Sequence, residues 1–435
     1  MYWKITTLLI VMTSCAVTYP TAQSSIYNNV ETKAAAVNDQ VVEWRRHFHE
    51  FPELSNREFK TAEKIAEILR SLNLHVDTGI AHTGVIGVLD TGRPGPVIGL
   101  RADIDGLPVT ERTPIAFASK EQSTYLGEDV GVMHACGHDT HIAMLLGTAK
   151  ILTDMKDQLR GKVVFVFQPA EEGAPKGEEG GAALMVKEGI IENYGIEVFF
   201  GQHISSGIPA GVITYKLGGI MAASDSFTIK VKGKQSHGSR PWAGVDPVTT
   251  AAQIIQGLNN IVSRQTELTK EAAVISVGKI KGGFRSNIIP EEVELIGTIR
   301  TLDVDMQKEI HERIHKTATS IAESSGATAD VTIDIGYPVT DNHIDLTRKM
   351  VPSLMKAAGE DNVKIVPAVT GAEDFSFFAQ KVPGLYFFTG GADPTGEHEI
   401  YPHHTPDFYI DESGMVTGVK AMTMLTLDYM NSAGK

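Results

Sequence analysis

The run Met133-His134-Ala135-Cys136-Gly137-His138-Asp139-Thr140-His141 packs three histidines, one thiol and one carboxylate into nine residues. An apolar run follows at once: Ile142, Ala143, Met144, Leu145 and Leu146, with Ala149, Ile151 and Leu152 beyond. Apolar on nearly every face, it predicts a buried helix. A set of soft and borderline ligands therefore sits on a Gly-containing turn that enters a core helix. A thiolate and an imidazole two residues apart reach one metal ion, and both are ordinary ligands of zinc-like ions. A lone Cys-x-His is more often a buried, inert thiol beside a surface histidine. The rest of the chain decides between the two.

Outward from that run, short apolar stretches recur, each ending in polar residues. Val85 to Leu89 ends at Asp90, and Val97 to Leu100 ends at Arg101-Ala102-Asp103-Ile104-Asp105. Val163 to Phe167 ends at Gln168-Pro169-Ala170-Glu171-Glu172-Gly173, and Val198 to Phe200 ends at Gly201-Gln202-His203. Leu385 to Phe388 ends at Thr389-Gly390-Gly391, with Tyr401-Pro402-His403-His404-Thr405-Pro406 soon after. Helical patterns between them predict an α/β sheet buried on both faces. In such sheets the site lies beyond the carboxyl ends of the strands.

On the N-terminal side, Ser55 and Glu58 predict a capping box before the amphipathic helix of Phe59, Ala62, Ile65, Ala66 and Leu69. His47 and His49 fall on different faces of a helix with Val41, Trp44 and Phe48, and read as structural. On the C-terminal side the texture changes near residue 221. Strands at Asp225 to Val231, Ala272 to Ile280, Val293 to Thr301 and Ala329 to Ile335 alternate with two helices. Asp246-Pro247 caps the first helix, and Met306, Ile310, Ile314 and Ile321 line the second. The order β-α-β-β-α-β is the ferredoxin-like unit. The α/β pattern then resumes with a helix from Leu346 to Ala358, a strand from Lys364 to Val369 and a closing helix from Glu412 to Tyr429. The expected organisation is a two-domain α/β protein. Its catalytic domain (36–220 and 337–435) is interrupted by an inserted α+β domain (221–336).

The length of 435 residues suits two domains. A formal net charge of −14 argues against nucleic acid or an anionic membrane as partner. Residues 1–22 read as a secretory signal: Lys4, then a short apolar run from Ile5 to Val11, then small residues as far as Ala22. That run is too short to span a membrane. Met12-Thr13-Ser14-Cys15 also allows a lipid anchor on Cys15. With 2 Cys in all, Cys15 in the signal and Cys136 on metal leave none for a disulfide.

Taken as one site, Cys136, His138, Glu172, His203 and His404 supply thiolate, imidazole and carboxylate. Five donors exceed the needs of one tetrahedral ion. Two ions sharing a ligand fit better. In the Glu171-Glu172 pair, one carboxylate can bind metal while its neighbour stays free as general base.

These stretches, with His47 to Ser55, Leu100 to Pro108, Ser236-His237 through Asp246-Pro247, Asn287 to Pro290, Gly371 to Phe375 and His404-Thr405-Pro406, resemble the M20 metallopeptidase family. Within it they resemble the amidohydrolase branch acting on N-acyl amino acids: aminoacylases, hippurate hydrolases, auxin-conjugate hydrolases and some carboxypeptidases. The resemblance runs from about residue 40 to 410. It implies that Cys136 bridges two divalent metals, zinc or manganese with cobalt as an alternative. His138, Glu172, His203 and His404 would be the other ligands. Glu171 would be the general base, and Asp105 would orient a ligand. His237, from the inserted domain, would stabilise the oxyanion, and Arg285 and Asn287 would lie near the substrate carboxylate. A role for the inserted domain as lid and dimerisation unit, giving a homodimer, is also implied. Gly177-Glu178-Glu179-Gly180 departs from the family pattern by lengthening the loop after the base. An exopeptidase acting on short peptides would use the same chemistry. A non-catalytic binding protein on this fold would be expected to lack Glu171 or a ligand, and none is missing.

Overall fold

The computed structural model describes residues 21–432. The predicted signal segment and Cys15 lie outside them, apart from its last two residues, Thr21 and Ala22, at the start of the first helix. No described helix is long and apolar enough to cross a membrane.

Helix α1 (Thr21–Glu50) and helix α2 (Phe59–Ser71) lead into strands β1 (His75–Ile80), β2 (Gly84–Asp90) and β3 (Val97–Asp103). Helix α3 (His138–Asp154) precedes β4 (Lys162–Gln168), β5 (Val198–Pro209) and β6 (Ile213–Tyr215). Next come β7 (Ala223–Lys232), α4 (Pro247–Asn260), β8 (Ala273–Gly282), β9 (Glu292–Thr301), α5 (Val304–Ser324) and β10 (Thr328–Tyr337). The chain returns through α6 (Ile344–Ala358), β11 (Val363–Ile365), β12 (Gly384–Ala392) and α7 (Met415–Ser432).

Eight strands form the main sheet in the order β1-β2-β4-β3-β5-β12-β6-β11. Its centre, β4-β3-β5-β12, is parallel, so the carboxyl ends of these four strands share one edge. Helices α1, α3, α6 and α7 pack on one face around a core that includes Ile142, Leu145, Phe165, Phe200 and Leu425. The opposite face is covered by short helices whose Met185, Ile190 and Phe378 meet Phe199 and Tyr386. The Phe199 and Phe378 rings stack with centroids 4.6 Å apart. Burial on both faces explains the unbroken apolar runs in the central strands. Each fully buried Val, Leu or Phe contributes about 1.5–3 kcal/mol.

The second sheet runs β8-β9-β7-β10, all antiparallel, with α4 and α5 on one face. This is the ferredoxin-like arrangement expected of the inserted unit. Asp246 caps α4 by accepting from Val248 N and Thr249 N.

Four expectations need correction. Ser55 and Glu58 form no capping box, because buried partners draw both away. Ser55 donates to Asp105 at 2.7 Å, while Glu58 accepts from Thr83 at 2.6 Å and from Ala170 N at 2.9 Å. Asp90 is not at the site: β2 is antiparallel to β4, so its end points to the far edge, where Asp90 meets Lys162 at 2.8 Å. The strand expected over 364–369 stops at Ile365. The closing helix proper starts at Met415, after a 3-10 turn at Glu412–Gly414.

Candidate active site

Gly137 makes the turn into α3 with φ of 94°, and a Cβ there would come within 2.3 Å of the Ile204 side chain. Only glycine combines that backbone with that close approach. The turn sets Cys136 at the sheet edge and makes His138 the first residue of a helix buried on every face from His138 to Ala149.

Asp105, two residues past the end of β3, orients the neighbouring groups. Its carboxylate accepts from the backbone N–H of Glu171 at 3.1 Å and of Glu172 at 3.0 Å. His138 Nδ1 lies 2.9 Å from the Asp105 carbonyl and 3.2 Å from its carboxylate. The Nδ1 proton is thus held by Asp105, and Nε2 is left buried without a hydrogen-bond partner. His203, inside β5 opposite Phe388 of β12, repeats the device. Its Nδ1 donates to the Ile204 carbonyl at 2.5 Å, which turns the Nε2 lone pair toward Cys136 Sγ, 3.4 Å away. His404 Nε2 lies 3.3 Å from the same sulfur and 3.0 Å from Glu172 Oε1. Glu172 Oε1 is itself buried and makes no hydrogen bond, its contact with His404 being an ion-pair approach.

Burial and the adjacent Glu172 and Glu171 push the Cys136 thiol far above its usual value. Burial, with His141 and His403 nearby, pushes His203 far below its own. Burial, with Glu373 and Glu172 nearby, raises Glu171. Lone pairs and carboxylates crowded into a dry pocket are costly without a cation. The donor set fits divalent metal: imidazole Nε2 atoms pre-aimed by fixed Nδ1 bonds, one thiol and one free carboxylate oxygen. Cys136 belongs to two ligand groups, one with His203 and His403 and one with Glu172 and His404.

Two further histidines, His141 and His403, also lie in candidate ligand groups, but protein partners already occupy both nitrogens of each ring. His141 Nε2 accepts from Ile204 N at 2.8 Å, so its Nδ1 donates to Asp103 at 2.5 Å. His403 sits between Ser206 N and the Cys136 carbonyl at 3.3 and 3.2 Å. The doublet His403-His404 in the sequence was the only sign of this wall residue.

The structure thus brings Cys136, His138, Glu171, Glu172, His203, His404 and Asp105 together. His237, Arg285 and Asn287 are exposed on the inserted unit and do not line the cavity beside the cluster. They do neighbour one another: His237 pairs with Ile288, and Gly238 N donates to the Asn287 carbonyl at 2.8 Å. The Gly177–Gly180 loop is pinned through Glu178, which accepts from Arg57 at 2.6 Å and from Asn56 at 3.1 Å.

A buried cation underlies the cluster. Arg101 reaches Asp103 at 2.7 Å, and Glu373 and Asp374 each at 2.8 Å. Gln168 accepts from Arg101 Nε at 2.8 Å. In sequence these residues look like ordinary strand-end polar groups.

The chain matches the peptidase family M20/M25/M40 over residues 99–428. It is 39% identical over 397 residues to the thermostable carboxypeptidase 2 of Saccharolobus solfataricus, covering 91% of this chain and 96% of that one. It is 39% identical over 307 residues to an N-acyl-L-amino acid amidohydrolase of Geobacillus stearothermophilus, covering 71% and 79%. A Bacillus subtilis protein described as a dinuclear metal-binding peptidase of the M20 family superposes with a TM-score of 0.76 at 32% identity, covering 92% and 99%. With its cluster of metal-ligating side chains at the carboxyl edge of the main sheet, the chain belongs to the M20 family and is a metal-dependent hydrolase.

Proposed function

We propose that this hydrolase cleaves the amide bond of N-acyl amino acids, yielding a carboxylic acid and a free amino acid. One observation carries the reading: the Glu171 carboxyl is buried beside the ligand cluster, with its Oε2 3.9 Å from the unpaired His138 Nε2. Cys136, His138, Glu172, His203 and His404 would hold two divalent ions, with Cys136 shared between them. Zinc, manganese and cobalt all suit these donors. Bound ions would supply Lewis acidity, lowering the pKa of water and polarising the amide carbonyl.

The chain's own residues do the rest. Glu171 takes the proton of the attacking water and passes it to the leaving nitrogen. Its raised affinity for a proton, set by burial and by Glu373 and Glu172, suits both halves of that transfer. Asp105 fixes His138 and the backbone of the Glu171-Glu172 turn at once. His237 donates to the oxyanion when the inserted unit closes, from the same chain or from the partner of a homodimer. Arg285, with Asn287, meets the α-carboxylate, for which a guanidinium offers a fork of donors.

The Saccharolobus carboxypeptidase supports a second reading, removal of a C-terminal residue from a short peptide by the same groups. Side-by-side assay of N-acyl amino acids and dipeptides separates the two, and inactivity on all N-acyl amino acids refutes the first. The protein is exported, with residues 1–22 as leader or Cys15 as lipid site. Sequencing the native N-terminus tests this, and an intact Met1 refutes it.

A further inference from the structure

Beside the ligand cluster lies a cavity of about 570 Å³. Cys136, Glu171, Glu172, His203 and His404 close one end. Ile204, Ile208, Met221, Val366, Val369 and Phe388 form much of the remaining wall. Among the described residues no lysine or arginine lines it, and Glu171, Glu172 and Glu373 do.

The wall is built rather than floppy. Val366 N donates to the Tyr215 carbonyl at 3.0 Å, Val369 N to Ile220 at 3.0 Å, and Ala222 N to Gly371 at 2.8 Å. The 366–371 segment, its first four residues expected from sequence to be strand, is thus stapled across the start of the inserted unit. Val369 is left 44% exposed at the cavity mouth. An apolar chamber this size, with polar groups at one end only, is what a largely apolar ligand requires.

We infer that this cavity takes the acyl half of the substrate, and that the acyl group is bulky, uncharged and apolar, of the size of octanoyl rather than acetyl. The inference rests on the amidohydrolase reading above. Charge decides the orientation. The amino-acid half carries a carboxylate, and this cavity, whose glutamates and histidines sit at the metal-binding end, offers it no lysine or arginine partner. Arg240 and Arg285 are exposed on the inserted unit, outside this cavity. Size decides the class. An acetyl group would leave most of the chamber to water against apolar walls, whereas a longer chain removes that contact.

The test compares N-octanoyl and N-acetyl derivatives of one amino acid on the metal-loaded full chain. Each buried methylene is worth about fourfold, so two or more predict at least tenfold higher kcat/KM for octanoyl. Ile208→Trp, which fills the chamber, and Val369→Asp, which charges its mouth, should each lower the octanoyl-to-acetyl ratio about tenfold. Equal or better use of the acetyl substrate overturns the inference, as does a ratio that neither variant moves. If no N-acyl amino acid is hydrolysed, the amidohydrolase reading fails instead. Binding of free octanoate and acetate, followed by calorimetry, then still decides the cavity. Octanoate bound at least tenfold more tightly supports it, and equal binding refutes it.

Discussion

The Tyr337 hydroxyl donates to the carbonyl oxygen of Glu171 at 2.7 Å. Tyr337 is the last residue of β10, where the chain leaves the inserted unit, and Glu171 is the proposed base in the main domain. The turn it grips is unusual. Ala170 has φ of 52°, a left-handed conformation that costs a non-glycine residue energy unless neighbours hold it. Glu58 holds it from Ala170 N, Asp105 from Glu171 N and Glu172 N, and Tyr337 from the Glu171 carbonyl. One of the four clamps therefore comes from the strand that any rotation of the inserted unit would move.

Tyr337→Phe should lower kcat about fivefold, the worth of one buried hydrogen bond of about 1 kcal/mol. Metal content should be unchanged, and KM should move less than kcat, because the lost hydroxyl clamps the base while phenylalanine keeps the ring that lines the cavity. Steady-state kinetics with metal analysis checks this. A variant with wild-type kcat would show that the other three clamps suffice.

Glu171→Gln should retain its metal and bind substrate, yet lose several orders of magnitude in kcat, because both proton transfers fail. The amide keeps the size of the carboxyl, so the fold is preserved. Elemental analysis is the discriminating measurement. Loss of metal would make Glu171 a ligand and remove it from the role of base.

Cys136→Ser should weaken metal affinity and activity while leaving the melting temperature in chelator nearly unchanged. A serine preserves the Gly137 turn but is a poorer ligand than a thiolate. Full metal loading of the variant at wild-type affinity would reduce Cys136 to a packing residue.

Much of the cluster is legible in sequence because ligation demands few residue types and a strand end supplies the position. Cys136, His138 and Glu172 announce themselves by type and by the apolar runs beside them. What escapes notice depends on partners distant in sequence. Ser55 and Glu58 satisfy the local rule for a helix cap, yet Asp105 and Thr83 outcompete the helix for them. Asp90 resembles its neighbours because a single strand does not reveal its direction in the sheet. Arg101 cannot be read as a buried cation until Glu373 and Asp374, over 270 residues away, are brought against it.

That network gives a stability prediction with a definite pH dependence. Arg101→Met leaves Asp103, Glu373 and Asp374 without their buried cation, which should cost about 3–5 kcal/mol. In the native protein burial opposes ionisation of Asp103, but Arg101 prevails and holds it well below the usual carboxylate range. A depressed native pKa stabilises above the unfolded value of about 4 and is lost as pH falls through it. In the variant Asp103 loses that attraction and burial raises it, as burial already raises Asp374 to about 8 in the native protein despite Arg101, so the variant's fold binds more protons and gains more stability as pH falls. Asp103's native contribution is still complete at pH 5, so between pH 8 and pH 5 the variant's extra proton uptake alone acts, and the deficit should be widest near pH 8 and narrow toward pH 5. Urea unfolding of both proteins in chelator, at pH 8 and pH 5, measures it; a gap that stays constant or widens at pH 5 would show that lost packing rather than lost charge sets the cost.

The last prediction concerns His237, exposed here and away from the cluster, with Ser239 N and its hydroxyl 3.1 and 2.8 Å from Nδ1. Those contacts occupy Nδ1 and leave Nε2 free to donate to an oxyanion once the inserted unit closes. His237→Ala should therefore reduce kcat by about 10²–10³ without loss of metal. Mixing it with Glu171→Gln shows which chain supplies the histidine. If it acts across a dimer, each mixed dimer holds one complete site, built from Glu171 of the alanine variant and His237 of the glutamine variant. Random pairing of equal amounts makes half the dimers mixed, so about a quarter of wild-type activity should return. Mixing in denaturant followed by refolding ensures exchange, and a mass-tagged partner confirms it. Recovery near that level assigns the histidine to the partner subunit. No recovery after confirmed exchange assigns it to its own chain, and unimpaired turnover in His237→Ala alone removes it from the reaction.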